Sequence, residues 1–159
     1  MENPLITFFA SFLIWAMFVG LFIFWYLNGN FRKEQLFHAL FASFLAYLAT
    51  EIIKVLFPTL RPFEVNGGQV LTLTIPNDGS FPSTHSAIAF GLASSVWTYN
   101  KKIGVLFILS AVLVALGRVL GNVHFTVDIL VGALLGIGIS TLLGKMKIDS
   151  LVSNTKRQR

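Results

Sequence analysis

The chain has 159 residues, of which 55% are hydrophobic and only 12% are charged, too few charges for a soluble domain, where about a quarter are charged. The formal net charge is +5, but the basic residues separate apolar runs and do not form the solvated basic face that a nucleic-acid binder needs. Because the chain has no cysteine, a disulfide framework, a thiolate metal site and a cysteine nucleophile are excluded.

Five apolar segments are long enough to cross a bilayer, which takes roughly 20 residues of helix. The first has no basic leader, so we expect a retained span and not a cleaved signal peptide. Turn-forming residues separate the segments, among them Asn28-Gly29-Asn30, and Gly144 is expected to end the last one. The predicted fold is an all-α, polytopic transmembrane bundle of about five spans, a single domain over 1–159: Leu5–Leu27, Leu36–Phe57, Ser83–Tyr99, Ile103–Leu120 and Phe125–Leu143.

The basic residues predict the orientation of these spans. Five spans put the N-terminus, the long polar loop Pro58–Pro82 and the turn at Gly121 on one side of the membrane, and the C-terminal tail (145–159) on the other. The positive-inside rule assigns the more basic side to the cytoplasm. Nine of the twelve basic residues lie on the side of the tail: Arg32, Lys33, Lys101, Lys102, Lys145, Lys147, Lys156, Arg157 and Arg159.

The other basic residues, Lys54, Arg61 and Arg118, lie at helix ends or in the loop on the extracytoplasmic side. Ionisable groups at membrane helices are costly, which makes them functional candidates. Two of them also have a plain explanation: Lys54 can snorkel to the interface or pair with Glu51, and Arg61 can be an ordinary loop residue before a proline.

Three further residues lie at the same level. His85 follows Pro82-Ser83-Thr84 at the start of a helix, which indicates either a simple N-cap or an anion site at the helix N-terminus. His124 and Asp128 are four residues apart and share a helix face, so the carboxylate can fix the imidazole tautomer. They can equally be a structural polar pair. A metal site with His85 is the third interpretation, but the three nearby cations would repel a divalent ion and suit an anion.

Three blocks in order carry a resemblance: Lys54-x6-Arg61-Pro62, Pro82-Ser83-Thr84-His85 and Arg118-x5-His124-x3-Asp128. Their spacing resembles that of the type 2 phosphatidic acid phosphatase superfamily, which also contains vanadium haloperoxidases. The matched region runs from residue 54 to residue 128. Two positions depart from the family pattern, since Thr84 stands where glycine is usual and Gly117 where serine is usual.

The resemblance implies a phosphatase in which His124 attacks phosphorus to form a phosphohistidine. Asp128 would hold its ring, and His85 would protonate the leaving oxygen and later activate water. The substrate phosphate would be bound by residues of all three blocks, with no metal and no cofactor: Lys54, Arg61, Ser83, Thr84 and Arg118.

The resemblance also bears on substrate and location. Small bacterial members with Arg-Pro-Phe, as in Arg61-Pro62-Phe63, look like undecaprenyl-diphosphatases, which release phosphate and leave undecaprenyl phosphate. We therefore expect a multi-pass protein of the inner (plasma) membrane with its site facing outward, whose partners are a lipid phosphate and membrane lipid but no nucleic acid. Phosphatidylglycerol phosphate, phosphatidate and lipid A phosphates stay open as substrates. A non-catalytic lipid-phosphate binder or transporter, a haloperoxidase and the oligomeric state also stay open.

Overall fold

The computed structural model describes residues 3–27 and 33–157, with side chains as far as Met146. These residues form helices and no strand, which confirms the predicted all-α fold. The joint at Asn28-Gly29-Asn30 and the basic residues Arg32 and Arg159 lie outside the described residues, as do the side chains of Lys147, Lys156 and Arg157. The helices are α1 (Pro4–Leu27), α2 (Lys33–Leu56), α3 (Pro62–Asn66), α4 (Thr84–Tyr99), α5 (Lys101–Leu120) and α6 (Thr126–Arg157).

Four of the described helices are long and apolar enough to cross a membrane: α1, α2, α5 and the Thr126–Met146 part of α6. The helix α4, predicted as a further span, has 16 residues, or about 24 Å of helix. That is shorter than the roughly 30 Å hydrocarbon core. It lies in the middle of the bundle, packed against α2, α5 and α6, so its neighbours cover most of its surface.

Side-chain caps fix where several helices begin. Asn3 Oδ1 accepts hydrogen bonds from the backbone N–H groups of Leu5 and Ile6, and Asn100 Oδ1 accepts one from Ile103 N–H at 3.1 Å. Such caps satisfy N–H groups that have no partner within the helix. Polar residues at the joints therefore set the ends of apolar segments whose interiors carry no such signal.

Two boundary predictions were wrong. The last helix does not end at Gly144 but continues to Arg157, because one glycine costs a helix only about 1 kcal/mol relative to alanine and no proline follows it. The predicted loop also contains α3, which starts at Pro62. There the Glu64 carboxylate accepts the backbone N–H of Arg61 at 2.6 Å, and Gly67 ends the helix with φ +63°, a conformation that glycine adopts easily.

Helices α4 and α6 approach closely at Gly132 and Gly136, the small-xxx-small pattern of membrane helix pairs. A Cβ on Gly132 would lie 2.5 Å from the carbonyl oxygen of Ser83, so no larger residue fits there without a shift. This approach aligns the N-terminal ends of the two helices, and the Ser83 N–H donates to the Asp128 carbonyl at 3.0 Å. The start of α4, which carries His85, is thereby held beside the turn that carries His124 and leads into α6.

Candidate active site

A cavity of about 480 Å³ lies where the ends of α1, α2, α4 and α5 meet the loop before α4. Its wall brings together residues from all three sequence blocks. Asp128 lies behind His124, and Ser83 forms the cap of α4, so neither lines the cavity. The predicted site residues that line it are Lys54, Arg61, Thr84, His85, Arg118 and His124.

Arg61 is the most tightly held of the three cations, with a relative exposure of 1%. Its Nε donates to the Asp78 carbonyl at 2.9 Å, and its Nη2 donates to Asp78 Oδ1 at 2.8 Å and to the Gly79 carbonyl at 3.2 Å. Its Nη1 donates to the Val123 carbonyl at 2.8 Å and to Nε2 of His124 at 3.3 Å. Arg61 thus joins the loop before α4 to the turn that carries His124.

His124 is 2% exposed, and its ring lies between Arg61 and Asp128. Nδ1 is 3.4 Å from Asp128 Oδ2 and 3.5 Å from the hydroxyl oxygen of Ser80. The same Oδ2 accepts the Ser80 hydroxyl at 2.5 Å and the Phe125 N–H at 2.8 Å. Ser80, which the sequence analysis did not single out, therefore belongs to this network and orients the carboxylate.

The tautomer of His124 follows from these partners. An arginine can only donate, so Nε2 accepts from Arg61 and the ring proton is on Nδ1, facing the carboxylate. Burial, opposed by the Asp128 hydrogen bond and reinforced by the charges of Arg118 and Arg61, lowers the pKa of His124 to about 4. The ring is therefore neutral at physiological pH, with a lone pair on Nε2 as a nucleophile requires.

Asp78 is a second residue that the sequence analysis did not single out. Its carboxylate pairs with Lys54 through Oδ2 and with Arg61 through Oδ1, while its side chain is 42% exposed. Burial alone would raise the pKa of Asp78, but the hydrogen bond from Lys54 and the charges of Lys54 and Arg61 outweigh it, and the pKa is lowered. An ionised carboxylate thus lies between two of the cations.

The residues at the start of α4 cap the helix or line the cavity. The Ser83 hydroxyl oxygen accepts the Ser86 N–H at 3.4 Å as an N-cap, which is the simpler of the two sequence interpretations. Thr84 donates through its hydroxyl to Glu51 Oε1 at 3.1 Å, and Glu51 lies 3.6 Å from the Lys54 ammonium. Substrate binding by the two hydroxyls stays a prediction. His85 follows them on the cavity wall.

Arg118 differs from the other two cations because no carboxylate of the described residues lies within ion-pair distance of it. It is 6% exposed. Its Nη1 donates to the Ala10 carbonyl at 3.1 Å, in a π-helical turn of α1 (Phe8–Phe12), and its buried Nε has no hydrogen-bond partner in the described part of the chain. A buried, unpaired guanidinium on a cavity wall is suited to binding an anion.

Gly117, the position where the family usually has serine, allows α1 to approach Arg118. A Cβ there would lie 2.6 Å from the Ala10 nitrogen and 2.8 Å from the Phe9 carbonyl carbon.

We predict that Gly117→Ser displaces α1, lowers the unfolding free energy by about 1–3 kcal/mol and weakens anion binding. Thermal unfolding measures the first effect. Gly138→Ser is the matched control, since nothing lies within 4 Å of its Cβ position, and an equal loss in both variants would contradict the prediction.

Among the described residues, no three His, Asp or Glu side chains form a group that could hold a metal ion. The cavity instead combines three cations with one neutral, oriented imidazole and a second histidine. Cations around a nucleophile are the arrangement that stabilises the oxygens of a transferring phosphoryl group.

The chain is similar to known proteins over most of its length. The sequence model of the PAP2 superfamily matches residues 35–149. The bacitracin transport permease protein BcrC of Bacillus licheniformis is 27% identical over 137 residues, which cover 86% of this chain and 68% of that protein. An undecaprenyl-diphosphatase of Sulfolobus acidocaldarius is 35% identical over 113 residues, 70% of this chain and only 55% of that protein.

Two solved structures share the fold. The crystal structure of Aquifex aeolicus LpxE superposes with a TM-score of 0.74 at 28% identity and covers 91% of this chain and 88% of that one. A PAP2 type phosphatidylglycerolphosphate phosphatase from Bacillus subtilis superposes with a TM-score of 0.60, covering 86% of this chain and 68% of that one. At 21% identity, the second likeness shows the fold alone.

Proposed function

We propose that this chain, which belongs to the PAP2 superfamily, is a membrane phosphatase that removes the terminal phosphate of undecaprenyl diphosphate. One observation carries the proposal: the neutral imidazole of His124 shares a cavity with the buried guanidinium of Arg118, which has no carboxylate partner among the described residues. A nucleophile beside an unpaired cation is suited to attack on a phosphoryl group.

The proposed reaction has two steps. In the first, Arg61 releases Nε2 of His124, the freed lone pair attacks phosphorus, the bond to the leaving oxygen breaks, and His85 gives that oxygen a proton. In the second, His85 takes a proton from water, the water oxygen attacks phosphorus, and the P–N bond breaks to free phosphate. Throughout both steps, the Asp128 carboxylate accepts a hydrogen bond from the Nδ1–H of His124. It also stabilises the positive charge that the ring gains while it carries the phosphoryl group.

The cavity has an apolar wall that suits a lipid substrate. Apolar and aromatic side chains from three helices line it: Ile14, Trp15 and Phe18 of α1, Tyr47 of α2 and Ile88 of α4. A phosphate held among the cations would leave its tail along these side chains. The identity to an undecaprenyl-diphosphatase and the Arg61-Pro62-Phe63 sequence favour the undecaprenyl chain as that tail.

A second candidate is a transporter or binder of lipid phosphate that catalyses no reaction. The name of one relative, a bacitracin transport permease, favours it. The neutral, oriented His124 favours the enzyme, because a binder needs cations but no nucleophile.

Phosphate release from purified protein in detergent separates these candidates. With EDTA present, we expect undecaprenyl diphosphate to be hydrolysed faster than phosphatidylglycerol phosphate, phosphatidate and a lipid A phosphate, and vanadate to inhibit. A different fastest substrate would replace the proposed one. Binding without any release would favour the transporter, and activity that requires added Mg²⁺ or Zn²⁺ would contradict a reaction supported by Lys54, Arg61 and Arg118 alone.

The outward orientation of the site is also a proposal. It is supported by the positive-inside rule and by basic residues on the side away from the cavity: Lys33, Lys101 and Lys102 at helix ends, and Lys145 at the end of the apolar Thr126–Met146 part of α6. We predict that cysteines introduced at Asn66 and Asn77, both exposed on the cavity side, react with an impermeant thiol reagent in intact cells. A cysteine at Asn154 should react only after lysis. The chain has no native cysteine, so each signal is unambiguous, and the reverse pattern would place the site in the cytoplasm.

A further inference from the structure

Arg61 has no free N–H with which to bind a phosphate in this structure. Three of its hydrogen bonds go to backbone carbonyls and one to the ring of His124. The remaining one goes to the carboxylate of Asp78, whose other oxygen pairs with the ammonium of Lys54. Two of the three cations of the site are therefore already occupied by one side chain.

Asp78 is the partner that can be exchanged. The backbone carbonyls are fixed by the turn and by the loop, and the ring of His124 gives up its bond to Arg61 only when Nε2 attacks phosphorus. The Asp78 side chain is 42% exposed and is attached to the loop by rotatable bonds. Its two oxygens bridge Lys54 and Arg61 as two oxygens of a phosphoryl group would.

We propose that Asp78 is a built-in competitor of the phosphate: its carboxylate holds the place of the phosphate between Lys54 and Arg61, so that a dianionic terminal phosphate binds strongly enough to displace it and a monoanionic phosphodiester does not. The inference rests on the proposed function, since it takes the three cations to be the phosphate site.

Charge decides the exchange. A phosphodiester carries one negative charge, as the carboxylate does, so a phosphodiester that displaces the Asp78 carboxylate gains no Coulomb energy and also requires that side chain to rotate away. A terminal phosphate carries up to two negative charges and three free oxygens, and it can also reach the unpaired Arg118. Most membrane phospholipids are phosphodiesters, and an internal carboxylate would keep their headgroups from filling the cavity.

The competition is measured as two dissociation constants, for phosphatidylglycerol in mixed micelles and for inorganic phosphate at pH 8, by calorimetry on the purified full chain. Both ligands have to displace the same carboxylate, so we expect Asp78→Asn to tighten the binding of each about tenfold. Asp78→Ser, which also lacks the charge but leaves more space, should tighten both as well. Glu34→Gln, which removes one negative charge at the far end of α2, should leave both constants unchanged.

Unchanged dissociation constants in both Asp78 variants would overturn the proposal, and so would weaker binding of both ligands, which would mean that Asp78 organises the two cations instead. This test does not depend on which lipid is hydrolysed. If undecaprenyl diphosphate proves not to be the substrate, the two constants still report the exchange at Asp78.

Discussion

Replacing His124 by alanine is expected to reduce turnover by at least about 10⁴-fold, because the variant lacks the atom that forms the bond to phosphorus. The loss should appear in kcat with little change in the affinity for vanadate, since Lys54, Arg61 and Arg118 remain. Rapid quench with a radiolabelled substrate should also trap no phosphoenzyme. Steady-state kinetics and the trapping experiment together check this expectation.

The other two histidines serve as controls for it. His38 lies at the opposite end of the bundle, 3.2 Å from the Ser140 carbonyl, so His38→Gln should still form the phosphoenzyme. His85→Ala should slow both steps, yet an aryl phosphate, whose leaving group needs no proton, should partly restore the first step. A phosphoenzyme that persists in His124→Ala would transfer the nucleophile's role to another residue.

Asp128→Asn is expected to lower kcat by about 100- to 1,000-fold, or about 2.7–4 kcal/mol of barrier. The loss should come from the missing charge and not from a wrong tautomer. The Phe125 N–H can only donate to the position of Oδ2, so the amide oxygen must stay there, and Arg61 still donates to Nε2. His124 therefore keeps its proton on Nδ1, but the positive charge of the phosphorylated ring loses its counter-ion.

Proton NMR of the ring N–H in a ¹⁵N-histidine sample distinguishes these two explanations. An unchanged Nδ1–H tautomer with reduced kcat is expected, whereas an Nε2–H tautomer in the variant would contradict the charge explanation. Ser80→Ala is the matched comparison. It removes one hydrogen bond to the same oxygen but no charge, so it should cost only about tenfold.

Much of the fold could be predicted because apolar runs of helical length leave few alternatives in a bilayer. The positions of the helix starts were also readable where a polar cap interrupts the pattern, as at Asn100. The end of α6 could not be predicted from Gly144, since a single glycine is a weak stop when the following residues favour helix. The helix α3 was hidden because five residues are too few for periodicity to be seen.

Which candidate residues lie close together could be predicted in part. The four-residue spacing of His124 and Asp128 can be read directly, but the shared helix face predicted for them was wrong, because α6 begins at Thr126 and His124 lies in the turn before it. Asp78 and Ser80 stand in a run of turn-forming residues, Asn77-Asp78-Gly79-Ser80, which is typical of loops. Their partners lie 24 and 48 residues away, and only the folding of the loop onto α2 and α6 brings them together. The length and polarity of the loop were the only signal that could have found them.

Gly117 illustrates what a departure from a family pattern means in three dimensions. In the sequence it counts only as a lost serine hydroxyl. In the structure it is the point where the backbone of α1 contacts α5, and the Ala10 carbonyl that it admits is the observed hydrogen-bond partner of Arg118. Local sequence does not reveal such a contact between residues more than a hundred positions apart.

The central claim is that His124 carries the phosphoryl group, and the most direct test is to find where the phosphate is attached. Purified protein should be quenched at alkaline pH during turnover of undecaprenyl diphosphate, digested, and mapped by mass spectrometry under conditions that preserve phosphohistidine. The account predicts an acid-labile phosphate on the peptide containing His124 and none on the peptide containing Ser83 and His85. Phosphate on the second peptide, or turnover with no phosphorylated peptide at all, would contradict it.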